Sequence, residues 1–274
     1  MQSAQILQDI RSLEPFPQAA IRVLELVLND AESSAVVAVI NQDPGLTSKV
    51  LAMANSAQYA PIVDIVSIAD ATRRLGTKVI ASIAITSGVA SFFTGYGRST
   101  SRSNTTLWDE CLYVALYARR LAGIAGGVNP ELAYTVGLIQ NVGHIVLDRF
   151  IEESRDEIKA RFASGQDLLT AERAVLGMDH AVCGSRLVRR WGFPEELTRA
   201  IEFHHDPVGA GSLTRLCEVV GLAESMALAD LSDGGLSLLS PTSPTLDWTG
   251  GLDAAELAGL QRAVKTDALE MRML

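Results

Sequence analysis

Long apolar runs, aromatic residues, paired cysteines and an excess of positive charge are all scarce in this sequence, and each shortage excludes something. The longest weakly polar stretch, Val79–Phe93, is interrupted by Ser82, Thr86, Ser87 and Ser91 and falls short of the roughly 20 apolar residues that a membrane span requires. The N-terminal MQSAQILQDI has no basic segment leading into an apolar core, so it does not read as a secretory signal. Cys111, Cys183 and Cys217 are far apart and odd in number, with no CxxC spacing to indicate zinc. Buried free thiols in a reducing cytoplasm are the expectation. Aromatics make up 5% of the chain, which disfavours sheets. A net charge of -9 removes the positive field that non-specific nucleic-acid binding relies on, so neither nucleic acid nor membrane is an expected partner. No Gly-rich phosphate-cradling motif occurs, Gly95-Tyr96-Gly97 reads as a loop, and no Ser-His-Asp or Cys-His set is recognisable.

What the sequence does contain is apolar residues at helical spacing from end to end. Its 274 residues, 48% hydrophobic and 20% charged, suffice for one large domain or two small ones. Helices are expected over 4–13, 18–28, from Ser33 or Ser34 through Ile40, and 45–56 behind the strong Asp43-Pro44 start signal. Ser67 caps 68–75, Gly76 closes it, and Thr77 caps 79–92. The polar segment 95–104 is the candidate boundary between two parts. Beyond it come a long helix over 105–123, an Asn129-Pro130 start, and a short buried helix over Gly137–Leu147 with two adjacent carboxamides, Gln140 and Asn141, at its centre. A charged surface helix over 148–162 follows, then helices opened by Asp167, Asp179, Pro194 and Ser212, the last reaching about Leu231. Residues 232–251 read as a loop, and 253–274 as an amphipathic helix through Leu257, Leu260 and Val264. The fold class is all-α.

Several segments together resemble the HDOD family, the HD-related output domains of bacterial signalling proteins. FPQAAIRVLELVLND is similar to the family's opening helix and DPGLTSKVLAMANSAQY to its best-marked segment. VSIADATRRLGTKVI, LWDECLYVALYARRLA, NPELAYTVGLIQNVGHIVL and MDHAVCGSRLVRRWGFPEELTRAIEFHHDP continue the match across 13–208. The resemblance implies an N-terminal helical bundle over 13–98 and an HD-phosphohydrolase-like helical part over 104–231, with 232–274 as a tail. It also implies a regulatory role without a metal centre, downstream of sensor or receiver domains.

Active HD enzymes need a first His, a His-Asp pair and a later Asp, because the cation activates water and neutralises phosphoryl charge. By the resemblance these positions fall on Glu110, on Gln140 and Asn141, and approximately on Glu224. An amide supplies one neutral oxygen where a carboxylate would bridge metals, so no catalytic residue, metal or cofactor is expected. A position often occupied by Lys in active relatives is His144. His180, His204 and His205 stand where cyclic di-GMP phosphodiesterases of the HD-GYP type carry further ligands, and with Glu110 and Glu224 they leave a mixed metal site open. Arg186, Arg189 and Arg190 share a helix face, read as solvated, and Trp108 and Trp191 read as core or subdomain contacts. The expectation is a non-catalytic cytoplasmic regulator that binds a protein partner. The alternatives are an atypical metal-dependent phosphohydrolase and a receptor that senses a small nucleotide.

Overall fold

The computed structural model describes residues 2–56, 59, 63–96, 104–231 and 254–271. Among these it is helical, with no strand. The order is α1 (Gln2–Ser12), α2 (Gln18–Leu28), α3 (Ser33–Asn41), α4 (Pro44–Ala54), α5 (Ile68–Leu75), α6 (Thr77–Tyr96), α7 (Asn104–Ala125) and α8 (Pro130–Ile139). Then come α9 (Gly143–Glu153), α10 (Arg155–Ala163), α11 (Leu168–Leu176), α12 (His180–Trp191), α13 (Glu195–Glu202), a 3-10 segment (Pro207–Leu213), α14 (Thr214–Leu231) and α15 (Ala254–Met271).

Most starts follow from capping chemistry written in the chain. Asp43 accepts from Leu46 N–H at 3.0 Å with Pro44 in the first turn, Asn129 accepts from Glu131 N–H, and Asp167 and Asp179 accept from Thr170 and Val182 N–H. Ser67 caps α5 as expected. The Ser33/Ser34 cap is not used: Glu32 occupies the cap position without a side-chain bond, and α3 starts at Ser33 itself. Thr77 likewise lies inside α6 rather than capping it.

Three expectations need correction. The stretch Gly137–Leu147 is not one helix, because α8 ends at Ile139, residues 140–142 form a break, and α9 starts at Gly143. The proposed helix over 148–162 is divided at Ser154 between α9 and α10, and Asp148 is buried rather than exposed. Helix α13 stops at Glu202, so His204 and His205 lie in the turn after it. In α15, Val264, Ala268 and Met271 face the protein, whereas Leu257 is exposed. The 95–104 boundary and the 232–251 loop fall largely or wholly outside the described residues.

Helix α7 is central, packing on α6, α8, α14 and α15. Helices α2 to α6 pack on one another, and α1 lies against α9 and α12. Trp191 joins these groups: its ring meets Phe16 at 5.2 Å and Phe92 at 4.7 Å, and its indole N–H donates to the Glu14 carbonyl. Trp108 sits against Phe93. A second tie is polar. Arg119 on α7 pairs with Glu131 on α8 at 2.8 Å and lies 3.9 Å over the Tyr134 ring. Ser82 on α6 donates to the same Glu131 carboxylate, and Thr86 is 2.8 Å from the Tyr134 hydroxyl. Tyr59, from the NSAQY segment, interacts with Arg119, and burial raises its phenol pKa. No single helix among the described residues is long and apolar enough to cross a membrane.

Candidate functional site

The break between α8 and α9 is held by close backbone contact. A Cβ on Gly143 would come within 2.0 Å of the His180 carbonyl oxygen and 2.7 Å of Gly184 N, so only glycine lets α9 meet the start of α12. That contact brings the break against the first turns of α12.

The positions read from the sequence lie mostly in the interior. Glu110 on α7, Gln140 and Asn141 at the break, His144 on α9, His180 at the start of α12, His204 after α13 and Glu224 on α14 are all buried. His205 is partly exposed. Asn141 donates through Nδ2 to Glu224 Oε1 at 2.9 Å, which joins two positions 83 residues apart. Neither amide atom of Gln140 has a hydrogen-bond partner in the protein, and neither does Asn141 Oδ1.

Beside these amides is an imidazole cluster ordered by a residue that the sequence reading passed over. Glu172 on α11 is fully buried, and its Oε2 accepts from His180 N–H at 2.9 Å and contacts His180 Nδ1 at 2.8 Å. Its Oε1 lies 3.9 Å from His144 Nδ1. The His144 and His180 rings stack at 4.1 Å. His180 Nε2 faces His205 Nε2 at 3.0 Å, His205 Nδ1 lies 3.9 Å from Glu224 Oε2, and His204 Nδ1 contacts the Ile201 carbonyl at 2.6 Å. The signal for Glu172 was an acid on the inner face of LLTAERAVL, next to Ala171 and one turn before Leu176, both buried.

Burial opposes charge on His180, but the charge and hydrogen bond of Glu172, helped by Glu224 and Asp179, outweigh it and raise its pKa. Burial and the neighbouring His205 push His204 well below the ordinary imidazole range. Burial and His180 push His205 down to about 3.

As a hydrolytic centre the set fits poorly. A cation at the doublet needs oxygen or nitrogen lone pairs from both Asn141 and Glu224, yet an amide N–H points from one to the other. The arginine face has local partners: Arg189 pairs with Glu195 and Arg190 donates to the Arg11 carbonyl.

The family profile of the HDOD domain matches residues 13–207. Among solved structures, a candidate phosphohydrolase from Shewanella amazonensis SB2B is similar with a TM-score of 0.66 at 26% identity, covering 96% of this chain and 89% of its own. An HDOD domain protein of unknown function from Geobacter sulfurreducens gives a TM-score of 0.74 at 22% identity, covering 99% of this chain and 95% of its own. A candidate signal transduction protein from Marinobacter aquaeolei VT8 gives 0.72 at 23%, covering 99% and 66%. These last two likenesses concern the fold alone. An uncharacterised protein of Treponema pallidum (strain Nichols) is 27% identical over 210 residues, which are 74% of this chain and 40% of that protein. The chain thus spans less than half the length of the curated relatives it matches.

Proposed function

The chain belongs to the HDOD family, and from that premise we propose that it is a non-catalytic signal-transduction regulator acting through protein-protein contacts of its helical surfaces. The observation that carries this reading is the Asn141–Glu224 hydrogen bond. Two positions that would share a cation in an active HD enzyme instead satisfy each other. The second support is closure. Gln140 is 0% exposed, Asn141 1% and Glu224 6%, so a phosphoester has no approach to them. The outer helices would then serve the partner, and the bundle over 13–98 and the HD-like part over 104–231 would shift against each other or hold the partner between them. In this reading the chain acts in the cytoplasm, and nucleic acid and membrane are not its partners.

A second reading, a metal-dependent phosphohydrolase with an unusual site, draws on the histidine cluster and on the name of the Shewanella relative. The amide at Asn141 and the buried doublet weigh against it.

The regulator reading is tested by affinity capture with the full chain. The expected result is one reproducible partner, competed off by untagged chain and retained by a Glu224→Ala variant. Absence of any competable partner under every signalling condition tried would contradict it.

A further inference from the structure

Helix α15 lies beyond the residues that the family profile matches, and it rests on α7 along one narrow stripe. Among its described side chains Val264, Ala268 and Met271 are buried, at i, i+4 and i+7 of a single face, while Leu257 and Leu269 are exposed. Helical geometry sets Gln261 and Lys265 on one side of that stripe and Asp267 on the other. Each side has a counterpart. Asp267 pairs with Arg120 on α7. Lys265 and Gln261 both reach Oδ1 of Asp230 on α14, at 3.2 and 3.3 Å. The second oxygen of Asp230 accepts from the hydroxyl of Tyr117 on α7. The Asp230 side chain is 5% exposed and Tyr117 is fully buried, so this acid is a fixed part of the floor, whereas Lys265 is 50% exposed and comes to it from solvent. Ion pairs with one solvated arm hold weakly. The seat is thus built into the domain, and the helix on it is lightly fastened.

We propose that this face of α7, with Asp230 beside it, is a docking site for an amphipathic helix of a partner protein, and that α15 occupies it in cis as a displaceable stand-in. The site's chemistry defines the partner. Its helix carries apolar anchors at i, i+4 and i+7, a lysine or amide donor on one side for Asp230, and an acid on the other for Arg120. Helices that lie in grooves are read through anchors at this spacing. The two opposite charges at the rim fix the direction, because a reversed helix would set its lysine against Arg120 and its acid against Asp230. Covalent connection gives α15 a local concentration on the order of millimolar, so a partner helix of micromolar affinity is excluded until α15 is drawn away. The same concentration argues against a second copy as the occupant: its α15 would bring identical contacts without that advantage. This inference rests on the regulator reading and gives it a surface and a switch.

A protease site is placed after Thr242 in the full chain, and a fluorescein-labelled peptide of residues 254–271 is titrated by anisotropy before and after cleavage. Cleavage removes the local-concentration advantage of α15, so the cut chain is expected to bind the peptide at least about 10-fold more tightly than the uncut chain, with its circular dichroism unchanged. Arg120→Glu in the cut chain weakens binding at least about 5-fold, and a peptide carrying Asp267→Arg recovers the loss. That reciprocal rescue keeps the test decisive, because a misfolded variant is not restored by a change in the peptide. The inference is overturned if the folded cut chain takes up no peptide, if the charge exchange gives no rescue, if cleavage unfolds the chain, or if light scattering shows a dimer that exchanges α15 between two copies. A cut chain that takes up no peptide yet still captures a competable partner places the partner elsewhere and leaves the regulator reading standing.

Discussion

Asn141 and Glu224, 83 residues apart in sequence and on different helical segments, are joined by a 2.9 Å hydrogen bond in the interior of the protein. The amide is the donor and the carboxylate the acceptor. That neutral donor offsets part of the cost of burying Glu224.

Removing that donor costs stability first. Asn141→Ala leaves the Glu224 carboxylate without it, at about 1–3 kcal/mol. Asn141→Asp sets two carboxylates against each other and is expected to cost more than the alanine. Urea denaturation of the two variants gives the order. An aspartate that is tolerated better than alanine in chelator would contradict the account.

Gly143→Ala tests how the doublet is placed. The new methyl group meets backbone atoms of His180 and Gly184, which cannot move aside as a flexible side chain could. The expected loss exceeds about 4 kcal/mol, the range reached only by severe core disruption. A variant with a near-normal Tm would show that α9 and α12 are not held this closely.

The Arg119–Glu131 pair is the polar tie between α7, α8 and α6. Arg119→Met leaves Glu131 without its cation and is expected to cost about 3 kcal/mol. The double variant Arg119→Met with Glu131→Gln should recover part of that loss. Arg119→Lys should not restore it fully, because a lysine lacks the planar group that lies over Tyr134. Thermal melts of the four proteins decide the matter.

All three cysteines are buried, and none is in a disulfide among the described residues. Burial pushes the Cys217 thiol up to about 12, and it raises Cys183 as well. An unfolded thiol ionises near about 8.5. Above that pH the unfolded chain loses protons that the folded chain keeps, so the thiols favour folding fully below about 8.5 and progressively less as pH rises towards the folded values. Tm should therefore fall more steeply between about pH 8.5 and 10 in wild type than in a Cys183→Ala, Cys217→Ala double variant. Thiol reagents at neutral pH should label none of the three before denaturation. Rapid labelling of native protein would contradict the burial.

Much of this fold is legible in the chain because its helices carry their own start signals. Asp43-Pro44, Asn129-Pro130, Asp167 and Asp179 each satisfy free amide groups locally, and local chemistry is what a sequence displays. The break at 140–142 was hidden because apolar residues continue through it. It exists for a tertiary reason, the approach of Gly143 to α12. The end of α13 before His204 was missed similarly, since nothing between Glu202 and Pro207 fixes the last helical residue. At the site, Gln140, Asn141 and Glu224 are named through the family resemblance, not through local chemistry. For Glu172 the periodicity of α11 places an acid on the inner face, but its partner comes from the turn that brings α11 back onto α12, which no periodic signal in the sequence specifies.

The most direct test of the central claim is turnover. The full chain, loaded in turn with Mn²⁺, Fe²⁺ and Zn²⁺, is assayed against bis(p-nitrophenyl) phosphate and cyclic dinucleotides, beside a Glu224→Ala variant. The account predicts hydrolysis no faster than the metal alone, identical for the two proteins. Metal-dependent turnover by the wild-type chain that disappears in Glu224→Ala would contradict it.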